Sequence, residues 1–127
     1  MIFTTLQVAL GGALGATGRY LTGIGMARLL GTGFPYATLT ANIIGSFIMG
    51  VAFVFLITRE AEASRWVPFV MTGILGGFTT FSAFSLDAYS LFDRGRMMAA
   101  ALYVGGSVGA SIAALIVGIA VAKGIAG

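Results

Sequence analysis

The side chains of this chain that could do chemistry are hydroxyls and an amide, not acids, bases or thiols. Thr38, Asn42 and Ser46 recur at four-residue intervals, and so do Tyr103, Ser107 and Ser111. Residues four apart share one face of a helix, so each set forms a polar ladder. Their common property is an O–H or N–H to donate. Isolated Ser and Thr in apolar helices usually bond back to their own backbone carbonyls, which accounts for most hydroxyls of the chain. An Asn amide is not satisfied so locally, and ladders on two helices read better as walls of a polar track. With no carboxylate deep in any apolar run, such a track suits an anion or neutral solute better than a cation.

Between the ladders lies Gly76-Gly77-Phe78-Thr79-Thr80-Phe81-Ser82. Adjacent glycines followed by hydroxyl residues weaken a helix in the middle of an uncharged run. Irregular backbone at membrane depth is tolerated only where protein covers it or it lines a polar cavity. This break is therefore expected to hold or pass something small.

Composition sets the environment. Hydrophobic residues make up 58% of the 127 and charged residues 9%, with a mean hydropathy of +1.02; a soluble domain does not look like this. The chain has no cysteine, which excludes disulfides, thiol catalysis and thiolate metal sites, and no histidine, the usual proton shuttle. Glu60, Glu62, Asp87 and Asp93 are the only carboxylates. An enzyme is not expected. The sequence pI of about 9.8 comes from singly scattered cations with no basic run, so no nucleic-acid partner is expected. Residues 1–27 read as a retained span and not as a cleaved signal peptide.

A hydrocarbon core takes about 20 apolar residues per helix. Spans are expected at about 4–27, 36–57, 66–86 and 97–122, forming a single all-α transmembrane domain whose third span carries the break. Tyr36 and Trp66 stand where aromatic belts form, and Pro35 and Pro68 lie near the boundaries. Four spans put both termini and the 58–65 loop on one side. That side holds Arg59, Arg65 and Lys123, and the other holds Arg28, Arg94 and Arg96, three against three. Because Lys/Arg bias orients membrane proteins, the tie predicts insertion in both orientations and antiparallel pairing. The alternative is that translocation timing or Arg19 breaks the tie.

Gly11 and Gly15 on the first span, and Ala101, Gly105, Gly109 and Ala113 on the fourth, form small-residue ridges of the kind that let helices pack closely in lipid. A unit this thin has little interior, so a tight dimer is the expected way to bury its polar residues. Arg19 has two readings. A charge within a span marks a functional site, or the side chain snorkels to the headgroups. Phe81 and Phe84 share a helical face, where aromatic rings ordinarily serve as core; a ring edge is also electropositive and could face a small anion.

Gly11-Gly12-Ala13-Leu14-Gly15-Ala16 with Arg19-Tyr20, Thr38-Leu39 with Asn42-Ile43-Ile44-Gly45-Ser46-Phe47, and the Gly76–Ser82 motif together resemble the Fluc (CrcB) fluoride channels over essentially the whole chain. The resemblance implies a passive fluoride-selective channel of the bacterial inner membrane that exports cytoplasmic fluoride. It also implies a dual-topology antiparallel homodimer with two pores. Asn42, Phe81, Phe84, Tyr103, Ser107 and Ser111 would line the fluoride path, with Thr38 and Ser82 nearby and Arg19 at a vestibule. A structural sodium ion at the dimer centre would be held by the main-chain carbonyls of Gly76 and Thr79 from each copy.

This chain departs from the family pattern at two points. Ala83 lacks the hydroxyl expected between the two phenylalanines, from which an intact fold with slower passage is expected. Asp87 stands where the family often has Glu. Two competing readings come from other classes. A small multidrug exporter needs a buried carboxylate in its first span, and here that span carries only Arg19. A non-transporting membrane scaffold would need neither Asn42 nor the break.

Overall fold

The computed structural model describes residues 1–58 and 62–127. Arg59 of the charge count and the carboxylate Glu60 lie outside the described residues. The described chain is all helical and forms four rods. Helix α1 spans Ile2–Leu30. Helix α2, Tyr36–Ala52, continues through wider π-helical turns to Thr58. The third rod, Glu62–Asp93, is composite. A 3₁₀ turn at Glu62–Trp66 leads to a π-helical segment, Pro68–Leu75, which Pro68 can begin because its missing N–H would have no partner there. Helix α3 follows at Gly76–Phe78, then the break, then α4 at Ser82–Asp93. The fourth rod is α5, Met97–Ala126.

Three rods, Tyr36–Thr58, Glu62–Asp93 and Met97–Ala126, are long and apolar enough to cross a membrane. Helix α1 has the length, 29 residues or about 44 Å at 1.5 Å each. Its apolar character is diluted by glycine, threonine, Gln7 and Arg19. The rods also extend past the spans read from hydropathy, most clearly at the third, where α4 runs to Asp93.

The ends of the rods follow their sequences. Gly31 closes α1 with φ +79° and donates its N–H to the Ala27 carbonyl at 2.9 Å. At the end of α4, Gly95 takes φ +77°, and the Arg96 N–H reaches back to the Leu91 carbonyl at 2.9 Å. That is the left-handed closure glycine allows at no steric cost.

Glycine explains the packing of α1. It runs against Pro68–Leu75 and α3 so closely that a Cβ at Gly15 would collide with the Ile74 carbonyl. A Cβ at Gly77 would lie 2.8 Å from the Gly12 carbonyl oxygen. Helices α2 and α5 meet the same way, Gly50 against the Leu115 carbonyl and Gly118 against that of Phe47. The α5 ridge behaves differently: Ala101, Gly105, Gly109 and Ala113 are exposed, and a Cβ at Gly105 or Gly109 would meet nothing within 4 Å among the described residues.

Two substitutions separate close packing from glycine's intrinsic cost. Gly15→Ala should destabilise by about 1–3 kcal/mol, because backbone on the neighbouring rod must retreat. Gly25→Ala, in open space, should stabilise by about 0.5–1 kcal/mol. Thermal unfolding in detergent micelles checks the pair, and equal effects would refute the packing account.

Candidate functional site

The break begins where helical hydrogen bonding loses its donors. Thr79 still donates its N–H to the Leu75 carbonyl at 3.0 Å, but its backbone then turns extended, with φ −83° and ψ 157°. The next N–H, of Thr80, would reach the Gly76 carbonyl in a continuous helix. It donates instead to Asn42 Oδ1 at 2.8 Å, while Asn42 Nδ2 donates to the Thr80 carbonyl at 3.0 Å. One amide side chain from α2 thus takes over both backbone groups of one residue. Further on, the Ala83 N–H donates to Thr80 Oγ1 at 3.2 Å, in place of the Thr79 carbonyl it would find in a helix. The carbonyls of Gly76 and Thr79 have therefore lost their helical donors.

A third carbonyl of the break is held by Arg19. Its Nε donates to the Gly77 oxygen at 3.2 Å from a half-buried position. A guanidinium at the C-terminal end of the half-helix also complements its dipole. Of the two readings of Arg19, the geometry favours an inward role: its Nε caps broken backbone rather than snorkelling away.

Beneath the break lies a cavity of about 430 Å³. Asn42, Phe81, Phe84, Ser107 and Ser111 line it together with Gly76, Thr79, Thr80 and Ser46. Both polar ladders thus contribute to one wall system. Phe81 and Phe84 are tilted neighbours with ring centroids 5.5 Å apart, but they differ in setting: Phe84 is 8% exposed and Phe81 78%.

Two sets of hydroxyls contrast. Thr5, Thr17, Thr22, Thr58, Thr79 and Ser85 each donate to the carbonyl four residues back, at 2.6–3.0 Å. Ser107 and Ser111 do not. Their Oγ atoms are buried without a hydrogen-bond partner among the described residues, on the cavity wall. Leaving a buried hydroxyl unpaired costs about 1–3 kcal/mol.

Thr38 and Tyr103 do not line this cavity; they meet at a second cluster. Asp87 Oδ2 accepts from Thr38 Oγ1 at 2.7 Å and from the Tyr103 hydroxyl at 3.2 Å. Ser82 reaches neither place. It is exposed, with Oγ 3.4 Å from Thr80 Oγ1. Ala83 faces a separate pocket of about 380 Å³ that Arg19, Thr38 and Thr80 also line. Sequence reasoning missed Thr80 as the residue on which the break turns. The doubled Thr79-Thr80 was visible, but its backbone partner on α2 was not.

The model of the CrcB-like protein, Camphor Resistance (CrcB) family matches residues 6–119. The chain belongs to the CrcB family. It is 56% identical over 124 residues to the fluoride-specific ion channel FluC of Cereibacter sphaeroides, with 98% of each chain covered. The FluC of a Ruegeria species is 57% identical over 126 residues, again covering 98% of both. That of Rhizobium johnstonii is 51% identical over 122 residues, covering 95% of this chain and 97% of its own. CrcB proteins are ion channels, not enzymes.

In this CrcB chain, Asn42→Ala strands both the N–H and the carbonyl of Thr80. It should cost up to about 2–6 kcal/mol, from one to three for each of the two stranded groups. Thermal unfolding together with hydrogen exchange at the Thr80 amide measures it. An exchange rate unchanged by Asn42→Ala would disprove the bracing role.

Proposed function

We propose that this protein is a fluoride-selective passive channel of the bacterial inner membrane that lets cytoplasmic fluoride leave. In this reading two copies insert in opposite orientations and pair, with one pore to each side of the dimer. The observation that carries the proposal is the pair of buried hydroxyls, Ser107 and Ser111, without a partner among the described residues, on a cavity wall shared with Asn42 and Phe84.

Fluoride is small, strongly hydrated and a good hydrogen-bond acceptor. A site that admits it must replace water's O–H donors with donors of its own. Buried serine hydroxyls with no other partner are free to turn toward it. Asn42 keeps one N–H beyond the one given to Thr80, and the edge of the Phe84 ring offers weak positive potential. No ionisable side chain stands among the described cavity-lining residues. An anion there meets no fixed negative charge, and the wall has no proton donor or acceptor to couple its movement to protons.

Several features support pairing of two copies. The small-residue ridge of α5 is exposed, and a Cβ at Gly105 or Gly109 would meet nothing within 4 Å among the described residues, as a helix–helix seam in lipid would. Phe81 projects into open space beside the break, where a second copy would cover it.

The proposed central sodium fits the donors present. The carbonyls of Gly76 and Thr79 have surrendered their helical partners, and neutral carbonyl oxygens suit a hard monovalent cation. The ion would supply a positive charge tying the two breaks together. Asn42 and the Thr80 hydroxyl take the N–H donors that would otherwise occupy those carbonyls.

Fluoride efflux from liposomes, with chloride as control and a sodium-free arm, tests the reading. Wild-type vesicles should release fluoride and retain chloride. Ser107→Ala with Ser111→Ala should slow fluoride at least about tenfold, since each lost hydrogen bond to an ion is worth about 1.5–3 kcal/mol. Vesicles that stay tight to fluoride would sink the proposal. Ala83→Thr should speed efflux if the missing hydroxyl limits passage, and an unchanged rate would count against that role.

A further inference from the structure

The connection between α1 and α2 carries an aromatic residue that the cavity does not use. Phe34 is half-buried, and its ring stands edge-on to Tyr103, with centroids 5.5 Å apart and planes at 89°. On its other side Tyr103 lies against Phe84, at 5.2 Å and 40°. The Tyr103 ring is thereby clamped, and only 1% of it is exposed.

The connection is itself fixed. Gly31 turns it with φ +79°, and Arg96 Nη1 at the head of α5 donates to the Gly33 carbonyl. The Tyr36 N–H bonds the Phe34 carbonyl at 2.8 Å. Phe34 therefore stands on a loop pinned at both ends.

The length of one hydrogen bond shows what the clamp does. A hydroxyl donating to a carboxylate normally settles at about 2.5–2.7 Å. Thr38 reaches Asp87 Oδ2 at 2.7 Å, but Tyr103 stops at 3.2 Å. If the bond placed the ring, the phenol would close that gap. Packing places the ring instead, and the bond takes what packing allows.

We propose that Phe34 is a positioning residue acting through Tyr103: it holds the phenol over Asp87 so that the carboxylate stays bonded to two donors and turned out of the anion's way. This rests on the channel reading above. A carboxylate freed of one donor swings more widely, and a negative charge near an anion's route raises the barrier to passage.

The test combines fluoride efflux with a resonance that reports the phenol directly. An aromatic pair is worth about 0.5–1.5 kcal/mol beyond its area, so Phe34→Leu should slow efflux about two- to tenfold. Phe34→Trp, which keeps an aromatic edge, should restore most of the rate. Arg96→Gln, which unpins the loop without touching the rings, should slow efflux in the same direction. In a Tyr103→Phe background, Phe34→Leu should add no further slowing. In protein labelled with 13Cζ-tyrosine, the Tyr103 signal, assigned by its loss in Tyr103→Phe, should shift in Phe34→Leu and return in Phe34→Trp. Equal slowing in both backgrounds, or a Tyr103 signal unmoved by Phe34→Leu, overturns the proposal. Wild-type vesicles that pass no fluoride while the signal still moves would defeat the channel reading and leave the positioning intact.

Discussion

One amide holds this structure to its shape. Asn42 gives its carbonyl oxygen to the Thr80 N–H and its NH₂ to the Thr80 carbonyl. A side chain on one rod thus replaces the helical partners of a residue on another. Without it, unpaired backbone at membrane depth would be too costly to keep. With it, the third rod stops and restarts, and the Gly76 and Thr79 carbonyls are freed. The turn at Thr80 puts the ring of Phe84 on the cavity wall opposite the serines of α5.

The close approach of the rods is what makes the pairing geometrically possible. Arg19 reaches the Gly77 carbonyl because α1 lies against α3 at the distance its glycines permit. A methyl at Gly45 would run into the Thr79 side chain, so α2 too must be bare where it faces the break. Glycine thus contributes to function indirectly: it removes volume, and the polar side chains then span what remains. Several hydroxyls elsewhere bond their own helix, and among the described residues the buried hydroxyls without a partner are those of the cavity serines Ser107 and Ser111.

Much of this was legible in the sequence because it depends on local spacing. The four rods, the break and the two polar ladders follow from periodicity and composition, whereas the grouping of Phe84 with Asn42, Ser107 and Ser111, which line one cavity, was implied by the family resemblance and not by spacing. The first rod was read as an apolar span interrupted by Arg19; it is a helix of 29 residues, but it is not among the three rods long and apolar enough to cross a membrane. What escaped the reading depends on which rod faces which. Asn42 was expected to donate to a solute, and the structure shows it engaged first with Thr80. The ladder Tyr103, Ser107 and Ser111 was expected to act as one track. Tyr103 is not among the cavity-lining residues and instead bonds Asp87 on α4. Ser82 was placed by its neighbours in the motif, but it is the first residue of α4 and points outward.

The placement of charge completes the electrostatic picture. Arg19 bonds the Gly77 carbonyl and Asp87 accepts from Thr38 and Tyr103, and neither lines the cavity. The guanidinium is spent on a carbonyl oxygen, and the carboxylate on two hydroxyls. A free arginine on the wall would hold an anion too tightly to release it, and a free carboxylate would keep it out. Passage needs binding that is strong enough to strip water and weak enough to let go. Neutral donors satisfy both demands, since each offers a hydrogen bond without a full charge. A cavity wall of serine, asparagine and phenyl edge, with Arg19 and Asp87 bonded elsewhere in the protein, meets that requirement if the cavity is the anion's route, as proposed.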